Sequence, residues 1–413
     1  MSKTENKSNH LVFITSGFPY GESEPFIETE IEYLATHFEK TIIVTHDVDS
    51  TSFRDYPENV KIVRLDYNPR LIDKLLSFVG IFSSSFWKEI NIIYRVYKQK
   101  INFGMIKTMI ISKYNSRRLA KAYIEIGEQL ENPIYYSYWC NDSALALAHL
   151  KLKNKSLKCI SRIHRWDVYF EENHYNYLPY RHFIVNSLNV IYSISNDGIL
   201  YVKEMWKIKD SNLKLSRLGI RKNMNCIPNE SNDFILVSCS SMISVKRVKL
   251  IVKSLCLLNE YSVKWVHFGD GRLFNEIKNM AEELLSLSNI RFELKGRVNN
   301  QEIIEYYRAH KPSLFINVSS SEGVPVSIME AFSCGIPCIA TDVGGNSEIV
   351  NNINGYLLVA NPSVNQISQS IDEYYQLTTE MKNKKKQSAY NTWRKHYDAT
   401  QNYNSFADEI LLL

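Results

Sequence analysis

The sequence predicts an α/β chain folded as two doubly wound parallel sheets, and three observations predict it. Short apolar runs rich in β-branched residues recur along all 413 residues, separated by longer stretches with helical spacing. The runs are continuous rather than alternating, as expected of strands buried on both faces. The series also breaks once, at Gly219–Asp233, where Arg-Lys-Asn-Met-Asn-Cys-Ile-Pro-Asn-Glu-Ser-Asn-Asp supplies turn residues and little periodicity.

In the first half, strands are expected at Leu11–Thr15, Thr41–Thr45, Val60–Leu65, Ile134–Tyr138, Lys158–Ile163, Val190–Ile194 and Leu213–Leu218. The second half should contribute Phe234–Cys239, Val263–Phe268, Ile290–Leu294, Leu314–Val318, Ile336–Thr341 and Tyr356–Val359. Helices fill the intervals, as in βαβ units. The chain is too long for one ordinary core and suits two domains of roughly 150–250 residues. Their expected extents are residues 1–222 and 223–390, with a C-terminal helix, 391–413, returning to the first domain. The tail from Ser363 reads as helical and polar, with Trp393, Tyr397, Tyr403 and Phe406 as anchors. Two such domains are expected to face a cleft, and open sheets bind ligands at the carboxyl ends of their strands.

Composition removes several classes. With 45% apolar and 23% charged residues, the chain is neither disordered, collagen-like nor a small disulfide scaffold. A net charge of +5 is too mild to indicate nucleic-acid binding, and no base-reading motif accompanies it. The surplus is concentrated. Residues 70–121 hold eleven Lys and Arg against Asp73 and Glu89, with Phe78, Phe82, Phe86, Trp87, Tyr94, Tyr97, Phe103 and Tyr114 interleaved. Helices of this composition either lie in the headgroup region of an anionic membrane or pack with a solvated basic face. The uncharged stretch Leu75–Trp87 is shorter than the roughly 20 residues that cross a bilayer.

The seven cysteines lack the paired spacing of a zinc site; Cys334 and Cys338 sit among apolar neighbours and read as buried thiols, which suits a reducing compartment. Met1–His10 is polar and has no apolar signal core. The expected location is the cytoplasm, with peripheral contact at the inner face of the cell membrane as the further option.

The most informative stretch is Ser319-Ser-Ser-Glu322-Gly-Val-Pro-Val-Ser-Ile-Met-Glu330-Ala-Phe-Ser-Cys-Gly-Ile-Pro. A strand ends near Val318, a short loop holds Glu322 and Gly323, and Pro325 stands where a helix would start, a position that needs no N–H. The amides of Gly323 and Val324 then lie at the positive end of that helix, a natural place for an anion. Glu330 falls within an apolar helix, and a buried carboxylate needs partners. Two carboxylates beside an anion site suit a polyol bearing a phosphate.

Glu322 and Glu330 match the E-x7-E motif of glycosyltransferase family 4, the group 1 glycosyltransferases, which have the GT-B fold; other landmarks resemble that family in the same order. Ser240-Ser-Met-Ile-Ser-Val-Lys246-Arg247 resembles the segment whose lysine holds the donor diphosphate, and His267-Phe-Gly269-Asp270-Gly271 the glycine turn after the second strand. Gly296-Arg297-Val298 resembles the loop that meets the nucleotide base, and Asp342-Val-Gly344-Gly345-Asn-Ser-Glu348 and Asn354-Gly355 the turns after the E-x7-E helix. The match is thinner in the first half. Gly17-Phe-Pro-Tyr-Gly21-Glu-Ser-Glu-Pro-Phe26 is similar to a glycine loop beneath the donor phosphates and the acceptor. Ser161-Arg-Ile-His164-Arg-Trp-Asp167 is similar to the histidine segment of members that build bacterial surface polysaccharides. Leu215-Ser-Arg-Leu-Gly219-Ile resembles the strand entering the linker.

The resemblance implies a retaining glycosyltransferase of hexosyl type. It would use a nucleotide-diphosphate sugar, such as a UDP- or GDP-sugar, and a glycan or lipid-linked acceptor in capsule, exopolysaccharide or O-antigen synthesis. A GT-B-like module that holds nucleotide sugar or glycan without catalysis is the alternative. The family's arginine five residues before the phosphate lysine is Ser241 here, so Lys246 is expected to share the phosphate with Arg247. Preorganised cations and amides stabilise a departing diphosphate without rearranging. The resemblance further implies that Glu322 binds sugar hydroxyls and Glu330 the ribose, with His164 positioned near the reacting sugar. The bland alternatives are a strand-end surface histidine and a solvated first helical turn at Lys246–Arg247. Gly269 and Gly271 lack the third glycine of a dinucleotide fingerprint. Asp47 and Asp49 form a D-x-D string read as an ordinary loop, so no metal and no other cofactor is expected.

Overall fold

The β-branched runs pair only with parallel neighbours, in two separate sheets. The computed structural model describes residues 10–21, 24–46, 54–65, 78–208, 212–221, 234–286 and 288–413. The first sheet contains β1 (His10–Ile14), β2 (Lys40–Thr45), β3 (Val60–Arg64), β4 (Ile134–Ser137), β5 (Lys158–Ile163), β6 (Val190–Ser193) and β7 (Leu213–Leu215), ordered β3-β2-β1-β4-β5-β6-β7. The second contains β8 (Phe234–Cys239), β9 (Val263–Phe268), β10 (Ile290–Leu294), β11 (Leu314–Asn317), β12 (Cys338–Thr341) and β13 (Gly355–Leu358), ordered β10-β9-β8-β11-β12-β13. The expected strands all form, most of them shifted or shortened by a residue or two. Both sheets are doubly wound, as the continuous apolar runs require: Leu11, Val12 and Phe13 on β1 are fully buried on both faces.

Each sheet has one point at which the strand order reverses. It lies between β1 and β4 in the first and between β8 and β11 in the second. The helices that follow β1 and β4 leave in opposite senses there, and the chain ends diverge to form a hollow. The loops that leave β1, β4, β8 and β11 are therefore the ones to search for chemistry.

In the first half the helices are α1 (Ile27–His37), α2 (Ser84–Arg95), α3 (Phe103–Gly127), α4 (Asp142–Lys153), α5 (Arg181–Ser187) and α6 (Asn196–Met205). Several start on a side chain that takes up an orphan amide: Asn102 accepts from Met105 N, Asn141 from Ser143 N and Ser195 from Gly198 N. The second half supplies α7 (Val248–Leu255), α8 (Phe274–Leu285), α9 (Asn300–His310), α10 (Val326–Ser333), α11 (Asn346–Ile349), α12 (Val364–Gln376) and α13 (Thr379–His396), and α14 (Ala399–Leu411) closes the chain.

The chain divides into two compact units, Met1–Leu218 with Thr400–Leu413, and Gly219–Ala399. The sequence reading places residues 391–396 in a returning tail, whereas they complete α13 in the second unit. The reason is Trp393. It is fully buried, its indole donates to the Ile220 carbonyl at 3.2 Å, and α13 packs on α10. From Thr400 onward the tail serves the first unit, where Phe406 packs against Tyr136 and Tyr192 with ring centroids 5.4 and 4.9 Å away.

That contact closes a buried charge cluster under β5. Arg162 donates to Glu30 on α1 at 2.6 Å and to Ser216 Oγ at 3.0 Å, and Tyr136 donates to the other Glu30 oxygen at 3.0 Å. Both charged side chains are fully buried, and the Phe406 ring lies 4.5 Å from the guanidinium carbon. Burial raises the Glu30 carboxyl above its ordinary range, with Arg162 opposing the rise. A pair of this kind fixes register more than it stabilises, since desolvation offsets most of its attraction. It ties α1, β5 and the C-terminal helix together two residues before His164. Arg162→Leu strands the Glu30 carboxylate and is expected to cost about 3–5 kcal/mol in urea unfolding. Adding Glu30→Leu should recover most of that loss, and a double variant as unstable as the single one would contradict the pairing.

Candidate functional site

At the reversal point of the second sheet, the loops leaving β8 and β11 bring Lys246 and Glu322 together. Lys246 ends a short 3-10 turn, Ser244–Lys246, just ahead of α7. Its ammonium donates to Glu322 Oε1 at 2.5 Å, and Asn317 Nδ2 reaches the same oxygen at 3.2 Å. The lysine side chain is 23% exposed and the glutamate 7%, so this is a half-sheltered pair and not a solvated surface contact. The solvated helical turn that the sequence allows at Lys246 is not what forms.

Arg247 is placed differently from the expected second phosphate cation. It adopts a left-handed conformation, φ 49°, and caps α7. Its guanidinium donates to the Val318 and Ser319 carbonyls at 2.6 Å each, to Ala360 O at 2.8 Å and to Asn361 Oδ1 at 2.9 Å. Four of its five N–H groups are thereby in use. The physical reason is the exit of β11, where the Val318 and Ser319 carbonyls need donors; Arg247 serves both, and Thr341 Oγ1 also donates to Ser319 O at 2.6 Å. Arg247 pins the loops after β11 and β13 to the start of α7, and Lys246 is left as the cation beside Glu322.

The loop Glu322–Val324 runs into α10, with Pro325 as its N-cap at φ −72° and ψ 118°. Gly323 and Val324 precede the helix as expected, and their amides bond to no acceptor among the described residues. The turn Asp342–Gly345 braces this loop from below: Gly345 N donates to the Gly323 carbonyl at 2.7 Å. Gly344 has φ +51°, and a Cβ there would sit 1.9 Å from the Glu322 carbonyl oxygen, so only glycine permits the approach.

A second brace comes from the glycine turn after β9. Gly269 has φ +133°, a Cβ on it would lie 2.0 Å from the Ser240 carbonyl oxygen, and its amide donates to Gly296 O at 2.8 Å. Gly269 thus lies close against the loop leaving β8 and bonds to the start of Gly296-Arg297-Val298. Around Gly296 itself a Cβ would meet nothing within 4 Å, so the side of that loop away from the sheet is open. His267 is structural. It is buried, contacts Ser238 Oγ at 2.8 Å and Ser240 O at 3.1 Å, and burial lowers it to about 4.

Glu330 lies in α10, buried, and accepts from Asn300 at the start of α9. Cys239, at the end of β8, lies among these groups: burial pushes its thiol up, Glu330 adds to the rise and Lys246 opposes it. Lys246, Glu322, Gly323, Val324 and Glu330 thus gather around the carboxyl ends of β8 and β11, with Gly269 and Gly296 bracing one side.

His164 and Gly21 belong to the first unit. His164 follows β5 and is 6% exposed, and neither ring nitrogen has a hydrogen-bond partner. It is packed against Trp139, Tyr138 and Phe26, with ring centroids 4.4, 4.6 and 6.3 Å away. Asp167 holds its backbone, accepting from His164 N at 2.8 Å, while the nearest Asp167 oxygen is 3.8 Å from Nδ1. A surface strand-end histidine would look different. Gly21 takes φ +62° in the loop leaving β1.

Among the described residues no group of three His, Cys, Asp or Glu side chains could hold a metal ion. Asp47 and Asp49 lie outside the described residues.

Residues 220–392 match the family described as Glycosyl transferases group 1. The matched stretch contains Lys246, Arg247, Gly269, Gly296, Glu322 and Glu330. An uncharacterized glycosyltransferase of Methanocaldococcus jannaschii is 30% identical over 184 residues, 43% of this chain and 50% of that protein. The O-antigen biosynthesis glycosyltransferase WbnH of Escherichia coli is 32% identical over 130 residues, 32% of this chain and 34% of that protein. The alignments thus span between a third and a half of these curated relatives.

Solved structures resemble the whole chain in fold. A glycosyltransferase from Rickettsia africae superposes with TM-score 0.68 at 17% identity, covering 98% of this chain and 99% of that one. HepE of Anabaena, solved with UDP and glucose, superposes with TM-score 0.66 at 12% identity, covering 98% of this chain and all of that one (100%). The fold is GT-B.

Two residues that hold the candidate site's glutamates, Asn317 and Asn300, are not singled out by the sequence. Each orients a motif glutamate, and each is an ordinary polar residue until its partner is known. A strand-end Asn five residues before Glu322 is the one signal that offered itself.

Burial holds the Glu330 carboxyl up at about 7, with the Asn300 bond opposing. Between about pH 4.5 and 7 the folded chain therefore keeps a proton that the unfolded chain has lost, and stability falls as pH rises through that window. Glu89, buried between Tyr177 and the Tyr180 amide and also held at about 7, adds to the slope. Glu330→Gln is expected to remove up to about 3 kcal/mol of this pH dependence in denaturant titrations at pH 5 and pH 8. An unchanged slope would show that Glu330 titrates normally.

Proposed function

We propose that this chain is a retaining glycosyltransferase of family 4. It moves a hexosyl group from a nucleotide-diphosphate sugar, a UDP- or GDP-sugar, to a glycan or lipid-linked oligosaccharide in surface polysaccharide synthesis. The observation that carries the reading is the Lys246–Glu322 pair at the start of α10, eight residues before the buried Glu330. The names of similar proteins support it. Besides WbnH, a UDP-Gal:alpha-D-GlcNAc-diphosphoundecaprenol alpha-1,3-galactosyltransferase of E. coli is 32% identical over 98 residues, and the Vi polysaccharide biosynthesis protein VipC/TviE of Salmonella typhi 32% over 105.

The roles follow from charge and geometry. Lys246 takes one oxygen of the donor diphosphate, and the Gly323 and Val324 amides take another at the positive end of α10. Glu322, released from Lys246 by the phosphate, accepts from the sugar hydroxyls. Glu330 accepts from the ribose, with Arg297 and Val298 beside the base. The bond from the anomeric carbon to the phosphate oxygen breaks as the acceptor oxygen bonds on the same face. The acceptor proton passes to the leaving phosphate, so no protein base is compulsory. His164 orients a hydroxyl near the reacting sugar. Arg247 acts only by holding the loops, and no metal takes part.

The first unit also offers a surface for a lipid-linked acceptor at the cytoplasmic face of a membrane. α2 buries Phe86 and Ile93 and leaves Trp87 and Tyr94 exposed, with Phe82 and Phe103 exposed nearby. Lys88, Arg95, Lys98 and Lys100 lie among them, also exposed. Aromatic rings interleaved with cations match the headgroup region of an anionic bilayer. No helix among the described residues is long and apolar enough to cross a membrane.

The test is transfer from labelled UDP- and GDP-sugars to bacterial lipid extracts, with and without chelator, together with sedimentation on anionic vesicles. Transfer with retained anomeric configuration, insensitive to chelator and lost in Glu322→Ala, is expected. Binding of donor with neither transfer nor hydrolysis would leave a holding module instead. Neutralising Lys98 and Lys100 with Trp87→Ser should release the protein from vesicles, and undiminished binding would refute the membrane contact.

A further inference from the structure

The loop leaving β1 ends in a cradle of three consecutive amides, and the cradle already contains an anion. Ser16 N donates to Glu24 Oε1 at 3.1 Å, while Gly17 N and Phe18 N donate to Oε2 at 2.8 and 2.7 Å. The Trp139 indole N–H, from the loop leaving β4, donates to Oε1 as well. Four donors from two loops thus converge on one carboxylate, close to the number of lone-pair sites it offers. Glu24 is buried and stands at φ +58°, an uncommon backbone state for a residue with a side chain. Such a state persists where its surroundings over-determine it, and here the cradle does so.

Trp139 carries the consequence onward. Its ring centroid is 4.4 Å from that of His164 and 5.5 Å from that of Trp166, which is partly exposed. Phe26, two residues after Glu24, packs at 6.0 Å from Trp139 and 6.3 Å from His164. His164, nine-tenths buried with both ring nitrogens unbonded, needs a partner that the described protein does not supply. The direction of its ring is set by these aromatic neighbours, and one of them is held in place by Glu24.

We infer that Glu24 is a positioning residue whose carboxylate fills the amide cradle at the end of β1 and, through the Trp139 indole, sets the aromatic wall against His164, so that this loop takes no phosphate from a substrate. A phosphate arriving there would meet a full set of donors and a like charge. Phosphate recognition is then left to the second unit, which departs from the expectation for the Gly21 loop. The kinetic part of this inference rests on the glycosyl-transfer reading; the occupancy of the cradle does not.

The test is heteronuclear NMR on the full chain, with the Trp139 indole resonance assigned by its loss in Trp139→Phe. Glu24→Gln puts an amide nitrogen among N–H donors. It is expected to shift the Trp139 indole and the His164 ring resonances. Titration with inorganic phosphate should leave the Gly17 and Phe18 amides in place in the wild type and move them in Glu24→Ala, where the cradle is empty. Phosphate-dependent shifts of those amides in the wild type, or an unmoved indole in Glu24→Gln, would overturn the inference. Should both Glu24 variants fail to fold, Trp139→Phe decides: it should move the His164 ring resonances and leave the two amides insensitive to phosphate, and unchanged His164 resonances would overturn the linkage. With an active acceptor, Glu24→Gln should raise acceptor KM roughly tenfold, the worth of one charged hydrogen bond, and leave donor KM unaltered. A changed donor KM with unchanged acceptor KM would contradict it, whereas absence of any transfer would count against the proposed function and leave the NMR result standing.

Discussion

The second unit is organised around one ammonium and one carboxylate. Lys246 and Glu322 come from different loops, 76 positions apart, and meet at 2.5 Å where the strand order reverses. Glu322 is buried while Lys246 stays partly exposed, so the pair is neither sealed off nor screened away. A half-sheltered pair of this kind is stable alone and exchangeable against a stronger anion, because a phosphate brings more charge and more acceptor oxygens than a carboxylate does. The rest of the unit serves to keep the two loops in place. Gly269 and Gly344 allow backbone approaches that no side chain would permit, and Arg247 takes up the last carbonyls of the β11 exit.

The reversal point of the first sheet carries a carboxylate too, and its chemistry is the opposite. Glu24 accepts from main-chain amides and an indole and has no ion pair among the described residues, so its carboxylate has little reason to leave. One sheet thus holds an exchangeable charge pair and the other a filled cradle. The same topology yields a lysine–glutamate pair in one case and an aromatic wall around a buried histidine in the other. Which of the two forms depends on a few side chains in the loops.

Much of this was legible in the sequence, and the reasons are physical. Parallel strands buried on both faces must be apolar along their length, so β1, β8 or β9 declare themselves without help. The spacing of Glu322 and Glu330, with Pro325 between them, marks a loop running into a helix. What stayed hidden was direction. The chain states that residue 247 is a cation, but whether its guanidinium faces a ligand or the carbonyls of Val318 and Ser319 depends on a left-handed turn that nothing nearby announces. Asn317 and Asn300 are unremarkable until their glutamate partners are placed. Glu24 sits in a string of polar loop residues, and its importance comes from an indole 115 positions away. The end of α13 was misplaced for a like reason, since Trp393 can anchor to either unit until the Ile220 carbonyl claims it.

The most direct test of the central pair is calorimetric titration of UDP and GDP, and of the matching nucleotide sugars, into the wild type, Lys246→Met and Glu322→Gln. If the pair is the donor's phosphate and sugar grip, Lys246→Met should weaken the nucleoside diphosphate by tenfold or more, on the order of one charged hydrogen bond. Glu322→Gln, which frees the ammonium, should bind the bare diphosphate at least as well as the wild type and lose the added affinity for the sugar. Wild-type affinity for both ligands in Lys246→Met would contradict the account.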